Sequence, residues 1–166
     1  MERLWSPWRS QYIESFQGEK KRDGCVFCAA FNSNDDAANY LIHRDKDCFI
    51  LMNLYPYNNG HLLIIPNRHV SALSELTPAE KTGIMGMTEL GIAMLKKSME
   101  AHGYNVGANF GRAAGAGIED HLHYHIVPRW NGDTNFMPVL NEVKTISEEM
   151  GKTFAKLIEA KKSLLH

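Results

Sequence analysis

The sequence predicts an α+β fold, an antiparallel sheet with a long helix packed across it. Two observations carry this. Short apolar runs bounded by turn residues, "CFILMN" (48–53), "HLLIIP" (61–66), "NVGANF" (105–110) and "LHYHIVP" (122–128), read as strands. One long helical pattern lies between the second and third runs and another closes the chain, so strands and helices do not alternate as a doubly wound parallel sheet requires.

Taken in order, an aromatic N-terminal arm, residues 1–24, is set off by the polar "QGEKKRDG" (17–24). The body runs over 25–140, and residues 141–166 carry a C-terminal helix expected to pack on the same domain. The turn-rich "LYPYNNG" joins the first two strands, and Pro66 closes the second because proline cannot donate to a central ladder. "TPAE" (77–80) starts the long helix, with Thr77 as N-cap, Pro78 at the first helical position and Glu80 completing a capping box. His102-Gly103 is the expected stop. Ile84, Met87, Ile92, Leu95 and Met99 share one face, which reads as core. The last helix, about 147–164, places Met150, Phe154, Leu157, Ile158 and Leu165 at helical spacing, with Glu148 and Glu149 at its start and Lys161 and Lys162 at its end.

Composition narrows the classes. The chain has 166 residues, 44% hydrophobic and 22% charged, which suits one globular domain. A net charge of −1 gives no basic surface for a nucleic-acid polymer. No apolar run approaches a membrane span, and "MERLWSPWRSQ" lacks the apolar core of a signal peptide, so a soluble, cytoplasmic protein is expected with no membrane partner. Three cysteines, an odd number, fit a reducing compartment better than a disulfide framework.

The informative stretch is "HLHYHIVPRW" (121–130). In a strand, His121, His123 and His125 share one face, and Leu122, Tyr124 and Ile126 the other. Successive imidazoles then stand ~6.7 Å apart and the outer pair ~13 Å apart, too far for the row to chelate one ion. The row therefore reads as separate tools laid side by side, and the chemistry as imidazole chemistry. "CVFC" supplies Cys25 and Cys28 at the spacing of a zinc knuckle. Buried thiols or a redox pair are the alternatives, but no βαβ unit of the redox kind accompanies it. A closed zinc site needs four ligands: His69, just after a strand, is a candidate third and one of the three aligned histidines a candidate fourth. Cys48 reads as a small core residue.

"HLHYHIV" matches the alternating signature of the histidine-triad (HIT) superfamily of nucleotide hydrolases and transferases. "LWSPWR", "NLYPYNNGHLLIIPNRHV" (53–70), "NVGANFGRAAGAG" (105–117) and "HLHYHIVPRWNGDTNF" (121–136) extend the match, and together resemble the bacterial branch that contains diadenosine tetraphosphate phosphorylases. The resemblance implies a HIT-like antiparallel sheet of about five strands. It makes His123 the nucleophile that forms a nucleotidyl-histidine intermediate, puts His125 on the phosphate and His61 beside the triad. Asn53 falls at the ribose position, and Asn109 near the phosphates. Gly115 and Gly117 belong to a loop, "GRAAGAG" (111–117), suited to presenting amides to an anion. Arg112 and Trp130 complete the nucleotide-binding candidates, as phosphate charge and as a base or subunit contact. By the same match Cys25, Cys28, His69 and His121 bind a structural zinc. One departure stands out: the Gln-Ser or Gln-Thr pair common before the triad is replaced by "GAGIED" (115–120), where Glu119 shares strand parity with His121 and is a candidate to orient it.

The activity implied is cleavage of dinucleoside polyphosphates, by phosphorolysis or hydrolysis. An adenosine phosphoramidase of the same superfamily and a noncatalytic, zinc-stabilised nucleotide-binding module are the alternatives; binding alone does not need the His123 nucleophile. Members of the superfamily join their sheets, so a homodimer or higher homo-oligomer is expected.

Overall fold

A computed structural model describes residues 24–133 and 146–165. The aromatic arm, and the segment joining the body to the C-terminal helix, lie outside the described residues. Five strands, β1 (Leu41–Arg44), β2 (Cys48–Met52), β3 (Leu62–Pro66), β4 (Gly103–Ala108) and β5 (Tyr124–Arg129), form one antiparallel sheet in the order β1-β2-β3-β5-β4. The helices are α1 (Val26–Asn32), α2 (Pro78–Met99) and α3 (Met150–Leu165). Sequence pattern missed β1, which at four residues is too short to show a period.

Strand parity divides the core into two. Ile50, Met52, Leu62, Ile64 and Ile126 point to the face covered by α2 and α3, with Ile84, Met94, Leu95 and Leu157. Phe49, Leu51, Leu63 and Ile65 point to the other face, where Phe27 and Ala30 of α1 cover them. His125 pairs directly with Leu63 and so lies on this second face.

The capping box forms as expected: the Glu80 amide donates to Thr77 Oγ1 at 3.2 Å, and the Thr77 amide to Glu80 Oε2 at 2.8 Å. Helix α2 ends earlier than predicted. Glu100 takes a left-handed cap at φ 50°, and His102 donates to the Arg129 carbonyl at 2.9 Å, drawing Gly103 into β4. The buried stripe of α2 also differs: Gly91 and Met94 lie on it, while Ile92 and Met99 are only partly buried. At Gly91 a Cβ would stand 2.7 Å from Ile126 Cδ1, so glycine lets α2 approach the sheet closely. Leu165, placed on the apolar face of the last helix by its spacing, is 54% exposed.

Gly60 fixes the turn that leads into β3. Its φ is +75°, and a Cβ there would meet Met99 Sδ at 2.6 Å and Leu95 Cδ2 at 3.0 Å. Left-handed strain and overpacking act together, so Gly60→Ala should cost about 2–4 kcal/mol. Chemical denaturation checks this; an unchanged midpoint would show that the turn relaxes freely. No helix among the described residues is long and apolar enough to cross a membrane.

Candidate active site

The turn at Gly60 delivers His61 to the start of β3 with no exposed surface. β5 runs beside β3, so His125 arrives next to it: His61 Nε2 lies 2.9 Å from His125 Nδ1. His121 and His123 precede β5, tied down where the Leu122 amide donates to the Val70 carbonyl at 2.7 Å. All four rings are buried.

Hydrogen bonds assign each imidazole a different job. A carbonyl only accepts, so His123 Nδ1, 2.8 Å from the His121 carbonyl, carries a proton and donates it. Its Nε2 is then left with a lone pair, the nucleophilic form. The Tyr57 amide donates to His61 Nδ1 at 3.0 Å, so the His61 proton sits on Nε2 and is donated to His125 Nδ1. That places the His125 proton on Nε2, a buried donor with no hydrogen-bond partner among the described residues. His121 donates from Nε2 to the Pro66 carbonyl at 3.0 Å, leaving Nδ1 as a ligand atom. One row of identical side chains thus yields a lone pair at His123, an N–H at His125 and, at His121, a nitrogen that could bind a metal.

Burial keeps these rings neutral. Together with the neighbouring imidazoles it pushes His61 down to about 3 and His125 down to about 4, and burial also lowers His123 and His121. Phe27 of α1 walls the row, with ring centroids 5.6 Å from His121 and 5.0 Å from His123.

Cys25 stands at the N-cap of α1 and Cys28 in its first turn, so the pair is carried by a short helix. His121 Nδ1 lies 3.3 Å from Cys25 Sγ and 3.6 Å from Cys28 Sγ, and His69 Nδ1 lies 3.4 Å from Cys28 Sγ. All four ligand atoms lie within 4.8 Å of one another. Tetrahedral zinc with ordinary Zn–S and Zn–N lengths would separate S and N ligands by about 3.6 Å, so the donor set and its spacing fit a metal ion. Arg68, beside His69, is clamped by Glu80 through contacts of 2.7 Å to both carboxylate oxygens. Arg68 and the Thr77 cap hold that carboxyl down at about 2.

The other expected site residues divide. Asn53 is brought to the site, with Nδ2 3.1 Å from His61 Nδ1 and Oδ1 accepting from the Tyr55 amide at 3.0 Å. Asn109 lies at the end of β4, its Nδ2 3.7 Å from where a Gly115 Cβ would be. In the glycine-rich loop, Ala114 and Ala116 donate to the Gly111 carbonyl and Gly115 to the Arg112 carbonyl, so these three amides are engaged within the loop. Gly117 is exposed in a bend. Arg112 pairs with Glu119 at 3.4 Å, which corrects the expectation that Glu119 orients His121: the Pro66 carbonyl does so. Trp130 is not brought to the histidines. It follows β5 with the parity of Ile126, on the face of α2, and donates from Nε1 to the Met99 carbonyl at 3.2 Å.

Sequence reasoning overlooked Tyr57. Its ring is tilted 35° over His61 at 4.7 Å and lies near-parallel to His125 at 5.6 Å, 19°. A tyrosine four residues before a turn-borne histidine was the available signal.

A model described as the HIT domain matches residues 34–132, more than half of the chain. The chain belongs to the HIT family. Among HIT relatives, the AP-4-A phosphorylase of Mycobacterium tuberculosis is 35% identical over 157 residues, spanning 92% of this chain and 80% of that protein. The asymmetrical bis(5'-nucleosyl)-tetraphosphatase of Schizosaccharomyces pombe is 34% identical over 93 residues, 56% of this chain and 50% of that one. A zinc-bound histidine triad family protein from Mycobacterium smegmatis superposes with a TM-score of 0.70 at 25% identity, covering 85% of this chain and 95% of that one.

Proposed function

We propose that this HIT protein cleaves dinucleoside polyphosphates by way of a nucleotidyl-His123 intermediate and passes the nucleotidyl group to inorganic phosphate. One observation carries the reading: His123 presents a lone pair at Nε2 while His125, at a ring distance of 5.0 Å, presents an Nε2–H with no partner among the described residues. Nucleophile and phosphate-oxygen donor thus stand side by side. The similarity to the M. tuberculosis AP-4-A phosphorylase over most of the chain supports the substrate class.

His123 Nε2 attacks the α-phosphorus, the N–P bond forms and the P–O bond to the departing nucleotide breaks. The positive charge that develops on His123 is met at Nδ1–H by the His121 carbonyl. His125 Nε2–H donates to a phosphate oxygen, its ring oriented through Nδ1 by His61. An oxygen of inorganic phosphate then attacks the same phosphorus, breaking the N–P bond and restoring neutral His123. Asn53, which touches His61, is well placed for the ribose. Cys25, Cys28, His69 and His121 would hold zinc in a structural role, since four protein ligands leave no open position. A bound zinc would supply a rigid tie between α1 and the histidine row.

Reduced thiol ligands suit a cytoplasmic compartment. A sheet-to-sheet homodimer suits β4, an edge strand among the described residues, where Val106 is 45% exposed. Diadenosine tetraphosphate with phosphate should yield ADP and ATP at a rate that rises and saturates with phosphate. AMP and ATP at a rate indifferent to phosphate would replace the phosphorylase by a hydrolase.

A further inference from the structure

Tyr57 stands on the β2–β3 turn, half-exposed, yet three of its groups bear on the catalytic centre. Its backbone N–H sets the protonation pattern of His61. The ring covers His61 and His125 on their outer side. Its hydroxyl accepts from Asn109 Nδ2 at 3.4 Å, a contact that joins the β2–β3 turn to the end of β4. A hydroxyl that accepts from an amide keeps its own O–H free to donate. The ring that carries it stacks on His125 at 5.6 Å, and the buried His125 Nε2–H has no hydrogen-bond partner among the described residues. Two uncommitted donors on stacked rings, with an amide behind one of them, fit an anionic oxygen.

Resting on the nucleotide reading above, we infer that the Tyr57 hydroxyl, aligned by Asn109, is a phosphate-binding donor. The ligand class is the phosphate chain of a nucleotide, not its base or sugar. The ring and the hydroxyl are separable: the ring shields the His61–His125 pair, and the O–H reads charge.

Tyr57→Phe keeps the ring and deletes the donor, so the stacked arrangement survives. Calorimetric titration with α,β-methylene ADP, which cannot be split between its phosphates, and with adenosine provides the test. The wild type should bind the diphosphate analogue, Tyr57→Phe should bind it roughly tenfold or more weakly, and both should bind adenosine within about twofold of each other, as loss of a hydrogen bond to a charged group requires. Asn109→Ala should weaken the analogue less than Tyr57→Phe does. Unchanged affinity for the analogue in Tyr57→Phe, or an equal loss for adenosine, overturns the assignment while leaving the nucleotide site standing. If wild-type protein binds neither probe, the nucleotide reading fails and the assignment falls with it.

Discussion

His123→Ala should lower turnover of diadenosine tetraphosphate by roughly 10⁴-fold or more, while nucleotide affinity stays within about an order of magnitude. The asymmetry follows from where the side chain acts. His123 offers a lone pair that counts only when the N–P bond forms, whereas ground-state contacts come from neighbouring groups. A wild-type enzyme quenched during turnover should carry an acid-labile nucleotide on His123, and the variant should carry none. The residue is 7% exposed and touches Phe27, so thermal melting of the variant must accompany the kinetics. pH gives an independent check. A protonated imidazole cannot attack, and burial holds His123 below its ordinary value of 6.5. His61 and His125, at about 3 and about 4, stay neutral further into acid. The acid limb of the pH–rate profile should therefore lie lower than that of an ordinary imidazole, as His123 gains its proton. Substantial activity in a folded His123→Ala protein would move the nucleophile elsewhere.

Much of this site is legible in the chain because it rests on short local patterns. The alternation in "HLHYHIV" puts three imidazoles on one face, and the capping box at Thr77 and Glu80 fixes where α2 begins. The Cys25-x-x-Cys28 pair meets His69 and His121 because α1 lies on the same sheet face as the histidine row. What the sequence hides is the division of labour. Whether an imidazole attacks, donates or binds metal depends on which carbonyl or amide faces its other nitrogen, and those partners are Pro66, His121 and Tyr57. Backbone groups carry no residue signature. Trp130 shows the converse: strand parity alone would have sent it to the face of α2, with Ile126, away from the triad. Arg68 and Glu80, twelve residues apart, meet only because the turn after β3 returns to the start of α2.

Replacing Cys25 and Cys28 by serine should remove metal, thermal stability and much of the catalytic rate together. Freshly isolated, reduced wild type should contain one zinc per chain, and the double variant almost none. An ion that binds the folded chain a thousandfold below its free concentration stabilises it by about 4 kcal/mol, so the melting temperature should drop by many degrees. The kinetic part follows from one residue with two duties. His121 turns its ring toward the cysteines and its carbonyl toward His123 Nδ1 at 2.8 Å. Loosening the ring loosens the acceptor that fixes the nucleophile's tautomer, without touching the His61–His125 pair. The rate constant should therefore fall, on the order of tenfold, with nucleotide affinity nearly kept, as expected of an outer partner that orients a reacting imidazole. Chelation of the wild type should reproduce both effects, and added zinc should reverse them. Zinc-free wild type of full stability would remove the metal centre. Loss of zinc and stability with an unchanged rate constant in the surviving folded protein would instead confine the cluster to holding α1 on the sheet.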